Sequence, residues 1–277
     1  MSAKINFFLT LSGIGIATAI LSRAGAAAEA PTLILAGSYK GYGNIYSPEI
    51  DGNIMLFSGW YNNDDYPYDS IYATDFISVN RVIRKEGVQL GDPSVVNNSM
   101  YMTFTSDPSD VTQNKIAKST LINGEWSPPT PIMEKAWLPS AVSTDRLYVY
   151  YTYADPVSVK LLRATLLGDI VTKIEDTIFE TPDFYPINVD VKFYDRVYYM
   201  LGGYLYNGIY SIGMWVSNNG LNFRAYPKNP IITPDNGNII ARTPFFTKEG
   251  NFLKIYYAQQ KVDWWTNAIY YRTVTLG

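Results

Sequence analysis

The chain has 277 residues, with 22 basic and 25 acidic side chains and neither His nor Cys. A net charge of −3 offers no basic face for a polyanion, which argues against nucleic acid as a partner. Without His or Cys there is no Ser-His-Asp or Cys-His nucleophile, no His- or Cys-ligated zinc and no disulfide. Acid–base chemistry, if any, falls to carboxylates, Tyr or Lys.

Residues 1–28 read as a signal peptide. Lys4 gives a short positive start, Ile5 to Leu21 is an uncharged apolar run, and Ala24-Gly25-Ala26-Ala27-Ala28 offers a small-residue cleavage site. The run also approaches the length of a membrane anchor, so an uncleaved anchor stays open as the alternative. Cleavage would leave residues 29–277 as one periplasmic or secreted domain. That domain is more acidic than the whole chain, because Lys4 and Arg23 leave with the peptide.

The remainder is rich in Tyr (24 residues) and Phe (12), set in short alternating runs suited to strands. Five runs look alike: Ile54–Gly59, Met100–Thr105, Leu147–Thr152, Val197–Gly202 and Leu253–Ala258. A further strand follows each, centred on Ile71, Ile116, Leu161, Ile212 and Ile269. Both columns recur about every 50 residues, and their spacings lengthen together along the chain, which marks a true repeat. An earlier strand opens each unit at a proline: Ser47-Pro48, Asp92-Pro93, Leu138-Pro139, Tyr185-Pro186 and Thr243-Pro244. Turn residues such as Asp51-Gly52-Asn53 and Asn97-Asn98-Ser99 follow it, and outer strands are expected near Trp126 and Phe223.

Each unit is thus a four-stranded β-meander, and five of them predict an all-β, five-bladed β-propeller over residues 29–277. The fifth unit lacks a fourth strand of its own, and Thr32–Ala36 reads as a strand placed to supply it and close the ring. A β-sandwich or a solenoid is the competing architecture.

Three segments carry a family resemblance. Gly91-Asp-Pro-Ser-Val-Val96 followed by Met100–Thr105, Ala241-Arg-Thr-Pro-Phe245, and Trp215-Val-Ser-Asn-Asn-Gly-Leu-Asn-Phe223 resemble motifs of the five-bladed propeller glycosidases. These are the family 43 arabinanases and β-xylosidases with their levansucrase and invertase relatives. The resemblance implies three carboxylates projecting from first strands into an axial funnel, as base or nucleophile, as acid, and as a substrate-positioning group. Glycosidic cleavage needs such a protonated and ionised pair.

Asp92 matches the clan's Asp-Pro position and is expected as base or pKa-tuning carboxylate; it also fits an Asp that closes a turn. Asp190, flanked by Val189 and Val191, is costly to bury unless paired, which favours a role, although Pro186 competes with it for alignment. Glu49 is the candidate general acid, or a Glu beside the Asp51-Gly52 turn. Arg242 suits a sugar hydroxyl or neutralises clustered acids. The chain departs from the clan pattern at Ser47, where a base Asp is expected, and at Leu138. Loop acids Asp64, Asp65 and Asp69 are alternative sources of the missing groups.

Trp60, Tyr61, Tyr66 and Tyr68 in the first unit and Trp264-Trp265 in the fifth suit sugar rings, or inter-blade packing. Asn62–Asp65 reads as a solvated turn rather than a Ca²⁺ loop, and no metal or cofactor is expected. The sequence points to an exported carbohydrate-active protein whose partner is a glycan. Hydrolysis by carboxylate acid–base catalysis leads, and non-catalytic glycan binding or a protein-interaction propeller remain as alternatives.

Overall fold

Turn chemistry cuts the chain into hairpins. Asn97 and Asn98 both take positive φ (49° and 59°), the two-residue geometry whose twist matches that of the flanking strands. The computed structural model describes residues 30–36, 44–60, 68–154, 159–180, 185–235, 239–260 and 267–277. The segment 1–28 read as a signal peptide lies outside them.

The first blade is β2 (Asn44–Asp51), β3 (Ile54–Trp60), β4 (Ser70–Thr74) and β5 (Val79–Ile83), antiparallel in that order. The second is β6 (Gln89–Val96), β7 (Ser99–Thr105), β8 (Lys115–Ile122) and β10 (Thr130–Glu134), with the short β9 (Glu125–Trp126) extending β8. Trp126 therefore belongs to this extension, and the outer strand proper follows it. The third blade is β11 (Ala136–Ser143), β12 (Leu147–Ala154), β13 (Val159–Leu167) and β14 (Ile170–Asp176). The fourth is β16 (Ile187–Tyr194), β17 (Val197–Tyr206), β18 (Ile209–Ser217) and β19 (Asn222–Ala225); β15 (Ile178–Phe179) pairs in parallel with β19.

The last blade, β20 (Ile240–Glu249), β21 (Phe252–Gln260) and β22 (Asn267–Thr275), takes its outer strand from β1 (Thr32–Ala36). β1 runs antiparallel to β22, with Thr32 opposite Tyr271 and Ala36 opposite Ala268. The N-terminal strand thus closes the ring as its sequence predicts. The protein is an all-β, five-bladed propeller.

The core lies between blades. The five repeat-marking residues Ile71, Ile116, Leu161, Ile212 and Ile269 are all buried in third strands. Five apolar clusters fill the five blade interfaces. One of them joins Ile45, Met55, Phe57 and Tyr72 of the first blade to Ile269 of the last, with Ile34 and Leu35 of β1 packed against it. Burial of this kind, at roughly 25 cal/mol per Å² of apolar area, takes the place of disulfides.

Candidate active site

Every innermost strand carries the same defect. Ser47, Asp92, Leu138, Asn188 and Thr243 all take φ of 49–54°, and at each the register with the second strand slips. A bulge re-aims the side chain it carries, and left-handed non-glycine residues are uncommon outside such places. In four blades proline follows the bulge; in the fourth, Val189 does. Tyr185-Pro186, expected to open the fourth first strand, lies just ahead of it. Asp190 is consequently aligned with Glu49, two residues past the bulge, and not with Asp92.

That frame shift decides what Glu49 and Asp190 do. Two residues past the bulge in four of the blades, a side-chain oxygen accepts a main-chain N–H of the neighbouring blade. Glu49 accepts from Val95 (3.1 Å), Ser94 from Ala141 (2.9 Å), Ser140 from Val191 (2.8 Å) and Asp190 from Phe246 (3.0 Å). The fifth blade has Phe245 at this position, which interrupts the series. Lys192 spans the gap: its ammonium lies 4.5 Å from the centre of the Phe245 ring, 3.1 Å from Asp190 Oδ1 and 3.7 Å from Glu49 Oε1. Burial holds both carboxyls above their ordinary range, against the pull of Lys192. Lys192 is itself held above its ordinary value by the two acids, although burial opposes this. Glu49 and Asp190, expected as catalytic carboxylates, each tie one blade to the next through a main-chain N–H. Glu49 Oε1 serves Val95 N–H and Lys192, Asp190 Oδ2 serves Phe246 N–H and Oδ1 serves Lys192 and the Ser140 hydroxyl (3.3 Å), and each residue is 5% exposed.

Glu49, Asp92 and Asp190 do line one axial channel, but its volume of about 30 Å³ holds a water or two and no sugar ring. Asp92, at the second bulge and partly exposed, accepts hydrogen bonds from Ser47 Oγ (2.5 Å) and Thr103 Oγ1 (2.9 Å). Its own N–H donates to Ser58 Oγ (2.7 Å). Burial raises the Asp92 carboxyl, and the two hydroxyls and Arg242 oppose the rise.

One residue before each bulge, Tyr46, Gly91, Trp137, Ile187 and Arg242 form a further tier. The Arg242 guanidinium carbon lies 5.7 Å from the centre of the Tyr46 ring. Tyr46 donates to Asp69 Oδ2 at 2.5 Å, and Gln89 Nε2 donates to the same oxygen at 2.8 Å. Gly91 leaves room here, since a Cβ on it would stand 3.4 Å from the Tyr46 hydroxyl. Burial pushes Asp69 up to about 7, against its bond from Tyr46. Tyr46 is raised well above its ordinary value by burial and then by the charges of Asp69 and Asp92. Burial lowers Arg242, while Tyr46 and Asp92 hold it up. Asp69 Oδ1 and Arg242 Nε are buried without a hydrogen-bond partner among the described residues. Such groups are costly to leave unpaired and gain most from a ligand.

Of the residues expected to bind substrate, Arg242 lies beside Tyr46, one residue before the fifth bulge. Trp60 is 6% exposed and lies in the β3 strand, which removes it from an open aromatic platform. Tyr61, Trp264 and Trp265 lie outside the described residues, as do Asp64 and Asp65. Asp69 is one of several loop acids in the sequence, and Tyr46 stands outside every motif singled out in it. Its signal was its place directly before Ser47-Pro48. Among the described residues no group of three or more acidic side chains is placed to hold a metal ion.

The sequence matches no protein-family model and no curated protein. Solved structures share its fold across nearly the whole chain, and they define the class: a five-bladed propeller built like those of the glycosidase clan. Among them is the catalytic domain of a GH62 α-L-arabinofuranosidase from Coprinopsis cinerea. It has a TM-score of 0.64 at 10% identity, covering 91% of this chain and 97% of that one. The α-L-arabinofuranosidase of Podospora anserina, in complex with cellotriose, gives 0.61 at 8% identity, covering 87% and 95%. A xylan β-1,4-xylosidase from Bacillus halodurans gives 0.61 at 14% identity over 85% of this chain and 53% of its own. At these identities the likeness is one of fold.

Proposed function

We propose that this chain is an exported glycoside hydrolase-like protein that binds a glycan at the channel mouth and cleaves a glycosidic bond there. The observation that carries the reading is the juxtaposition of two raised carboxyls, Asp92 and Asp69, around Tyr46 and Arg242. Cleavage needs one carboxyl that is protonated near neutral pH and a second on the other face of the sugar. Asp92, partly exposed, exchanges its proton with the leaving oxygen; Asp69 supplies the second function. The propeller likeness supports arabinofuranosyl or xylosyl glycosides as the substrate class, and the small-residue stretch before Glu29 supports export.

A second reading, glycan recognition without turnover, draws on the bulges themselves. Ser47, Leu138, Asn188 and Thr243 leave four of the five positions that face the channel without a carboxylate. Aryl arabinofuranosides and xylosides, with matching oligosaccharides, separate the two. Turnover that falls by about 10²–10⁴-fold in Asp92→Asn supports the hydrolase. Binding without turnover supports the recognition module, and absence of both rejects a carbohydrate role at this mouth.

A further inference from the structure

We propose that the flank of the fourth blade binds a single-chain carboxylate of the fatty-acid type, in an apolar cleft floored by the cross-strand row Tyr199, Val216 and Arg224. The inference goes beyond the glycosidase reading and does not depend on it, since no residue of this cleft lines the axial channel.

The cleft has a volume of about 530 Å³, within the size range of small-molecule sites. Three strands build its floor. Tyr199 of β17 stands opposite Val216 of β18, and Val216 stands opposite Arg224 of β19. Directly opposed side chains share one face of a sheet, so the three form a row across two strand spacings, about 10 Å. Met214 lies on the same face, two residues before Val216, and Tyr226 and Leu276 supply the walls.

Hydrogen bonds pin those walls. The Tyr226 N–H donates to Met214 O (2.9 Å), and the Asn229 side chain brackets Met214, accepting from its N–H and donating to its carbonyl (both 2.8 Å). On the other side the Leu276 N–H donates to Asn251 O (2.7 Å). The Tyr226 hydroxyl donates to Gly277 O (3.0 Å), which ties one wall to the other. Walls held in this way resist collapse, and the apolar surface between them stays open to a ligand.

The lining decides what that ligand is. Met214, Val216, Leu276 and the tyrosine rings offer few partners for sugar hydroxyls, which would lose their water there. They suit an alkyl chain, which gains with every methylene buried. Charge is confined to the ends of the row. Arg224 is exposed, and its guanidinium forms no ion pair among the described residues. At the other end Lys248 lies 5.3 Å from the centre of the Tyr199 ring, but Asp195 already pairs with it at 3.2 Å. An apolar row with an uncompensated cation at one end complements a chain with one terminal carboxylate, gripped by the Arg224 fork.

Isothermal titration calorimetry of the full chain with octanoate, decanoate and dodecanoate, each below its micelle concentration, tests the proposal. Octan-1-ol and decan-1-ol serve as neutral controls. The expected result is saturable one-to-one binding whose affinity rises about fourfold per methylene. Arg224→Gln should weaken decanoate by at least about tenfold and leave decan-1-ol unchanged. Val216→Glu, which sets a carboxylate of the chain itself opposite Arg224, should abolish decanoate binding. Absence of saturable binding, equal affinity for acid and alcohol, or decanoate affinity that survives Arg224→Gln overturns the proposal. Arg224 is exposed, so that variant decides the matter even where Val216→Glu does not fold.

Discussion

Replacing Lys192 by Met should destabilise the propeller by an amount that grows with pH. The ammonium sits 3.1 Å from Asp190 and 3.7 Å from Glu49, and its side chain is 17% exposed. At an effective dielectric constant near 20 the two attractions are worth about 5 and about 4 kcal/mol before desolvation. Desolvation cancels much of this, and removing one partner of such a buried set costs about 3–5 kcal/mol. The sign with pH follows from the two acids. Their native pKa values lie above the unfolded ones, so their stabilising contribution is full at acid pH and drains as pH rises. Without Lys192 both rise further, and the drain extends over a wider range. At pH 5 the folded variant keeps both carboxyls neutral at little cost. At pH 8 each must ionise in place or hold a proton that the unfolded chain has released, at about 1.4 kcal/mol per pH unit. Urea unfolding at pH 5 and pH 8 measures the difference, and thermal unfolding should show a melting point lower by about 10 °C at the higher pH. An equal loss at both pH values, or a loss under about 1 kcal/mol at pH 8, would refute the shared-lysine account.

Asp69→Asn should remove the acid limb of the kcat/KM profile, because a base held at about 7 must lose its proton before it can act; a limb that persists near that pH assigns it to another group. Gly59→Ala should cost about 2 kcal/mol or more in denaturant unfolding, since φ is +142° and the new Cβ would meet the Asn44 carbonyl across the β2–β3 pair. Deleting residues 30–36 should expose the β22 edge and uncover the apolar seam that Ile34 and Leu35 complete. Size-exclusion chromatography with light scattering would then show concentration-dependent association, and a stable monomer melting like the parent would count against the closing role of β1.

The architecture was legible because a propeller writes its period into the sequence several times over. Second-strand runs, third-strand isoleucines and turn residues drift together, and each column finds its place in the blades. Closure by Thr32–Ala36 was legible because a fifth unit with three strands leaves an edge that some other segment must cover. The site was less so. In a strand a shift of one residue turns a side chain to the opposite face, and a bulge hides where that shift occurs. Four of the five bulges announce themselves by a following proline. In the fourth unit Pro186 stands ahead of the strand and Val189 follows the bulge, so Asp190 could not be placed from sequence. Asp69 is legible as a loop acid but its pairing is not: its partner Tyr46 lies 23 residues away in β2, and no local pattern joins them.

The register also explains why counting carboxylates misleads in this fold. Two residues past the bulge, Glu49 and Asp190 perform the same task as Ser94 and Ser140, accepting the next blade's N–H, and a hydroxyl suffices for it. The charge they bring there is a burden that Lys192 relieves, which makes the acidic pair a feature of ring assembly. At the bulge itself Asp92 is the single carboxylate of the five positions. The neighbouring chemistry, a phenol and a guanidinium, sits one residue earlier on the first and fifth blades. Tyr46 stands immediately before Ser47, where the clan pattern leads one to expect a carboxylate. Its hydroxyl meets Asp69 of the same blade.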